Sequence, residues 1–195
     1  MTPDTFVEDV ARARFGDAFN FYRQGRGAAR RRARLAAYLE ARADADLLLV
    51  GEAPGYRGAR VSGIPFTSER QLSGTGPAEA TATIVHGVLD RLGLTEAVLL
   101  WNAVPAHPHR PGDHRSNRRP TRAECEAGRC FVDVLAAGRE VVAVGRIAGE
   151  ALDLPWIRHP SHGGAEGFAA GLASRVRLLH SATGGRVVRR FSVHP

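Results

Sequence analysis

The sequence predicts an α/β fold: a three-layer α/β/α sandwich around a central, mainly parallel four-stranded sheet. Three observations carry this. Four short strand-like runs recur along the chain: Leu47–Val50, Ala97–Trp101, Val141–Val144 and Pro155–Arg158. Segments with apolar residues at helical spacing separate and follow them. Each run stops at a loop that begins with Gly or a polar residue, so Glu52 (just past Gly51), Asn102, Gly145 and His159 all lie at strand ends. Strict alternation of strand and helix requires parallel pairing, with crossovers covering both faces. In such a sheet the carboxyl ends of the strands open onto one shared crevice.

In order, residues 5–15 form a short amphipathic helix and Asn20–Gly27 a turn. Ala28–Ala43 is a helix buried along Leu35, Tyr38 and Leu39, with its arginines, including Arg30-Arg31-Arg32, on a solvated face. After the first strand comes a loop rich in Gly and Pro, then a helix over Pro77–Leu92 with Ile84, Val88, Leu89 and Leu92 on its inner side. The loop after Trp101, NAVPAHPHRPGDHRSNRRPT, is long and dense in Pro, His and Arg; such length inside a compact domain points to function. Thr121 and Glu124 form a capping box for a helix reaching Ala137. Short and long helices follow over 146–152 and 165–181. The tail 183–195 reads either as an added edge strand or as a basic arm. The whole is expected to be one domain: N-terminal helices 1–44, core 45–182 and tail 183–195.

With 195 residues, 44% of them hydrophobic, the chain suffices for one core rather than two. Its formal charge is +7 and it contains no lysine, so every cation other than histidine or the amino terminus is an arginine fork suited to phosphate. That balance favours a polyanionic partner such as nucleic acid. No stretch approaches the roughly 18 apolar residues of a membrane span. The N-terminal segment lacks the blocks of a signal peptide. Cys125 and Cys130, five apart on a helix, face different ways and read as reduced thiols of a cytoplasmic protein.

Gly51-Glu52-Ala53-Pro54-Gly55 is neither a Walker loop, which needs Gly-Lys-Ser/Thr, nor a dinucleotide fingerprint. Taken alone it is a tight βα turn. Asn102 offers an amide that donates and accepts, as reading a base edge requires. His159 is fixed by Pro160 at a rigid strand end. His107, His109 and His114 with Cys125 match no zinc spacing.

Three segments in order, GEAPGYRG…SGIPF (51–66), WNAVP (101–105) and RHPSHGGAEGF (158–168), resemble the uracil-DNA glycosylase superfamily. The GEAPG segment with its downstream Pro-Phe is similar to the bacterial and archaeal branch that usually carries an iron–sulfur cluster. The resemblance implies that Glu52 and Ala53 place or activate water, with Ala53 also at the base pocket. It implies that Phe66 stacks on a flipped base, that Asn102 reads it, and that His159 bonds the pyrimidine O2. Ser161, His162, Gly163 and Gly164 fall in the segment that enters the minor groove and pinches the backbone. Two cysteines cannot supply the four thiolates of a cluster, so no cofactor and no metal is expected. The acids that follow GEAPG in that branch are here Tyr56, Arg57 and Gly58. Gly55 stands where some relatives place a tyrosine against the methyl of thymine.

The expected activity is monofunctional hydrolysis of the N-glycosidic bond of uracil, or a related deaminated base, in base excision repair. DNA is the expected partner, and the protein a monomer. Two other readings stand beside it: a catalytically weak damage-binding module on the same fold, and an enzyme of free nucleotides, which the missing phosphate loop opposes.

Overall fold

A computed structural model describes residues 1–182. Four strands form one parallel sheet: β1 (Leu47–Gly51), β2 (Val98–Asn102), β3 (Glu140–Val144) and β4 (Trp156–Ile157), in the order β2-β1-β3-β4. Side chains alternate across it. Leu48, Val50, Leu99, Trp101 and Ala143 face one hydrophobic cluster. That layer is built by α1 (Pro3–Arg12), α2 (Ala28–Ala41), α6 (Arg122–Ala136) and α7 (Arg146–Leu152). Leu47, Leu49, Leu100, Val142 and Val144 face a second cluster with α5 (Ala80–Arg91) and α8 (Ala165–Ala182). The three layers and the parallel sheet are as the alternation predicts.

Strand order places the topological switch at β1. The chain runs from β1 to β2 on one side, and then crosses back to β3 on the other. Loops leaving the carboxyl ends of β1 and β3 therefore part in opposite directions, and a crevice opens between them.

Several elements differ from the sequence expectation. Two short helices, α3 (Ala59–Ser62) and α4 (Glu69–Ser73), interrupt the loop after β1. Helix α5 starts at Ala80, and its inner face is Ala82, Val85, Val88 and Leu89; Leu92 caps it at 37% exposure. The apolar positions admit two adjacent stripes, and the one centred on Val85 meets the sheet. Strand β4 is only two residues long, since pairing is limited to Trp156 and Ile157 and Pro155 carries no N–H. The arginine run is not wholly solvated. Arg31 is 6% exposed and donates to the carbonyls of Phe21 (2.6 Å), Gln24 and Arg26. It ties together the turn preceding its own helix, work that charge patterning alone does not reveal. The tail 183–195 lies outside the described residues.

Three ties lock the site loops to this frame. Tyr22 donates its hydroxyl to the Gly63 carbonyl (2.8 Å), and Arg34 pairs with Glu69 in two bonds of 2.7 and 3.0 Å. The third is the capping box at Thr121. Its Glu124 is 2% exposed, accepts the Thr121 N–H (2.8 Å), and takes both amino groups of Arg118 at 2.7 and 2.5 Å. Burial pushes this carboxyl up, and the bonds from Arg118 and Thr121 more than reverse that, holding it below the usual range.

A depressed carboxyl stabilises the fold above its unfolded pKa, and that stability is lost as pH falls through the folded value. Glu124→Ala is therefore expected to cost about 3 kcal/mol at pH 7, as for other broken buried pairs. Urea unfolding across pH should show the gap between wild type and variant narrowing below the ordinary value of 4.5.

Candidate active site

The site is assembled from loops at the carboxyl ends of the strands. Register pairs Gly51 of β1 with Asn102 of β2, so the first loop and the Asn102 amide start side by side. The Ala103 N–H donates to Gly51 O (2.8 Å) and the Val104 N–H to Glu52 O (3.1 Å), extending the ladder one step beyond the strands. Asn102 is buried at the end of β2.

Gly51 is required by space. A Cβ there would run into the Phe66 ring and would stand 3.0 Å from Asn102 Oδ1. The ring of Phe66 thus lies across the strand end beside the amide. Phe66 holds φ 52°, a left-handed backbone that a bulky residue rarely adopts. The loop enforces it. Buried Ser62 donates to Thr67 O (2.6 Å) and accepts the Ile64 N–H (3.1 Å), and Thr67 Oγ1 bonds His86 Nε2 (3.0 Å). Strain held by such over-determination is a mark of functional sites.

His159 follows β4 and packs over Gly145, the residue ending β3. Its Nδ1 accepts the Ser161 N–H (3.1 Å) and meets Ser161 Oγ at 2.7 Å, while His162 Nδ1 reaches the same hydroxyl at 3.0 Å. With Nδ1 an acceptor, the ring proton of the neutral form sits on Nε2. Burial first, then the charges of His162 and Arg158, lower the His159 pKa. The imidazole is neutral at physiological pH, with one N–H to offer.

A cavity of about 180 Å³ joins these groups, lined by Glu52, Ala53, Phe66, Asn102 and His159 among others. That volume is below the range of drug-sized pockets and suits a single small ring. A larger hollow of about 420 Å³ at the opposite end of the sheet, around Asp44, Asp46 and Asp90, contains none of them. Glu52 is half-buried, and burial raises its pKa while the charge of Arg119 pulls it back.

The structure thus brings Glu52, Ala53, Phe66, Asn102 and His159 to one cavity. Ser161 sits behind His159 as the partner of its Nδ1. His162 is exposed at φ 51°, and Gly163 is exposed beside it. Gly164 is buried, and its N–H is spent on Ser161 O (3.0 Å). It shapes the turn that carries His159 and has no free amide to present.

Sequence reasoning missed further lining residues: Glu79, Thr81, Asn117 and Arg118. The length of the loop after β2 was the available signal for Asn117 and Arg118, since that loop turns back on the cavity. Asn117 Oδ1 accepts the Tyr56 N–H (3.1 Å), and buried His107 donates from Nδ1 to Pro54 O (2.9 Å), pinning the GEAPG segment from the same loop. For Glu79 the sequence carried no signal.

The family model of the uracil DNA glycosylase superfamily matches residues 39–187. The chain belongs to this superfamily. Among solved structures, SMUG2 of Pedobacter heparinus is similar in fold, with a TM-score of 0.67 over 93% of this chain and 99% of that one, at 14% identity. No curated protein matches the chain. For a member of the uracil DNA glycosylase superfamily the donor set excludes an iron–sulfur cluster. Cys125, half-buried, and Cys130, exposed, share helix α6, and two thiols are half of what a cluster takes. Among the described residues no helix is long and apolar enough to cross a membrane.

The tautomer of His159 is directly measurable. In ¹⁵N-histidine spectra at pH 7 its Nε2 should show the protonated shift and Nδ1 the acceptor shift. Titration should place its midpoint below the ordinary value of 6.5. A midpoint at or above 6.5, or the opposite tautomer, would refute the arrangement.

Proposed function

We propose that this protein is a monofunctional DNA glycosylase, hydrolysing the N-glycosidic bond of uracil or a related deaminated base flipped out of DNA, in base excision repair. The observation that carries the reading is His159 on one base-sized cavity with the Phe66 ring and the Asn102 amide, its Nδ1 taken by the Ser161 N–H so that Nε2 is the nitrogen left to face a ligand.

On this reading a flipped base stacks on Phe66, and Asn102 reads its edge through both a donor and an acceptor. As the bond to C1′ breaks, the sugar gains positive charge and the base gains negative charge. His159 donates its Nε2–H in a hydrogen bond to the base O2, where that charge collects. The donor is already oriented by Ser161, so no reorganisation is needed at the moment of cleavage. Glu52 orients water towards C1′ and accepts its proton as the C–O bond forms. The proton passes on to the departing base, leaving an abasic site. Ser161, His162 and Gly163 face the DNA backbone beside the cavity.

A panel of single- and double-stranded oligonucleotides containing uracil, hypoxanthine or xanthine tests this. Uracil substrates should give abasic product. Salt-sensitive binding with no product from any of them would favour a damage-binding module instead. His159→Ala should cut kcat by 10²-fold or more, as loss of an oxyanion donor does elsewhere, with DNA binding retained.

The two shifted groups fix the pH profile. Glu52 must be ionised, and burial raises its pKa, so activity should fall as pH drops from neutral, earlier than for an ordinary carboxylate. The lowered His159 pKa displaces its own protonation to more acid pH than for an ordinary imidazole. Glu52→Gln should flatten the acid limb along with reducing kcat; an unchanged limb would remove Glu52 from the proton transfer.

A further inference from the structure

We propose that Glu79 sets which substituents this cavity accepts on the edge of a bound base, its carboxyl filling the notch that Gly55 and Gly58 leave in the cavity wall. The inference rests on the base-excision reading and adds a specificity residue to it.

Glu79 is the N-cap residue of α5, yet its side chain does not cap the helix. Its backbone carbonyl accepts the first helical bond, from the Thr83 N–H at 3.1 Å. The side chain turns over the GEAPGYRG loop instead. A Cβ at Gly55 would stand 2.8 Å from Glu79 Oε1, and a Cβ at Gly58 would run into the same carboxyl. Two glycines thus clear the space that one long side chain from another element enters. The Asn117 amide reaches the same place, 3.8 and 3.9 Å from the Gly55 position, and its Oδ1 is committed to the Tyr56 N–H. Glu79, Thr81 and Asn117 therefore form a polar wall of the cavity, distinct from Phe66 and Asn102 over Gly51 and from His159 over Gly145.

The carboxyl is half-buried and, among the described residues, makes no hydrogen bond and no ion pair. Its oxygens are not among the buried atoms that lack a partner, so a ligand edge that displaces their water must give a hydrogen bond in exchange. Burial alone raises its pKa, with no cation opposing. Its two oxygens offer acceptors to an imino or amino donor on a base edge. Because the wall is a side-chain tip rather than a backbone ridge, its position is adjustable by mutation.

The probe is the smallest added substituent, the 5-methyl that distinguishes thymine from uracil. Glu79→Ala opens the notch, and the ratio of thymine to uracil excision from matched G·T and G·U duplexes should rise at least tenfold. Glu79→Asp, which shortens the side chain without deleting it, should raise the ratio by less. Gly55→Ala should push the carboxyl into the cavity and lower kcat/KM for uracil, and adding Glu79→Ala should restore it. An unchanged ratio in both Glu79 variants, or a Gly55→Ala loss that Glu79→Ala does not relieve, overturns the proposal while leaving the glycosylase reading intact. If the wild type excises no base, that reading fails. The same ratio, measured as equilibrium binding of thymine- and uracil-containing duplexes, then decides Glu79 by itself.

Discussion

The arrangement turns on the close approach at the end of β1, where the chain has no Cβ at Gly51 and the Phe66 ring takes the vacated space. Register makes this approach productive. Gly51 pairs with Asn102, so a ring laid across Gly51 lies against the amide of the neighbouring strand. An aromatic ring and a polar amide are thereby set over two strand ends about 4.8 Å apart, the spacing of any sheet. β1 and β2 are buried along their whole length, and a site mounted on their ends rests on that packed frame.

Rigidity at the strand ends does not extend by itself to the loops. The first loop is held from three directions: by Tyr22 at Gly63, by Arg34 at Glu69, and by His107 at Pro54. The segment carrying His107 is anchored in turn. It exchanges two backbone bonds with Phe19 (2.9 and 3.0 Å), and further along Arg118 is fixed on buried Glu124. The N-terminal layer is thus more than a cover for the sheet. It converts a Gly- and Pro-rich loop, intrinsically able to take many shapes, into one that keeps Phe66 at a strained φ of 52°.

What was legible in the sequence follows from this. The strands were readable because each apolar run ends abruptly, and their ends are where Glu52, Asn102 and His159 lie. The capping box at Thr121 was readable because it is local, two side chains three residues apart closing on each other's backbone. Arg31 and Glu79 were not readable, and for Asn117 only the length of its loop gave a signal. Arg31 sits in an arginine run whose pattern suggests solvent, and only the fold of the preceding turn buries it. Glu79 and Asn117 act on residues far along the chain, Gly55 and Tyr56, and no spacing rule connects them. The two-residue β4 and the shifted inner face of α5 belong to the same class, decided by pairing partners and by the sheet rather than by local pattern.

Burial has opposite consequences for the two titratable groups assigned to the proposed reaction. It favours neutral forms, lowering the pKa of His159 and raising that of Glu52. In the proposed reaction this suits His159, because a neutral ring with Nδ1 occupied has only Nε2–H to give. For Glu52 it works against the ionised state that the proposed water activation would require. The opposing influence is Arg119, whose charge pulls the Glu52 pKa back down and whose guanidinium also pairs with Glu150 (2.6 Å). Arg119 comes from the same long loop that delivers Asn117 and Arg118. That loop therefore bears on the electrostatics of the cavity as well as closing it: among the described residues it supplies the cation that counters burial at Glu52, whereas at His159 burial and the charges of His162 and Arg158 all act in one direction.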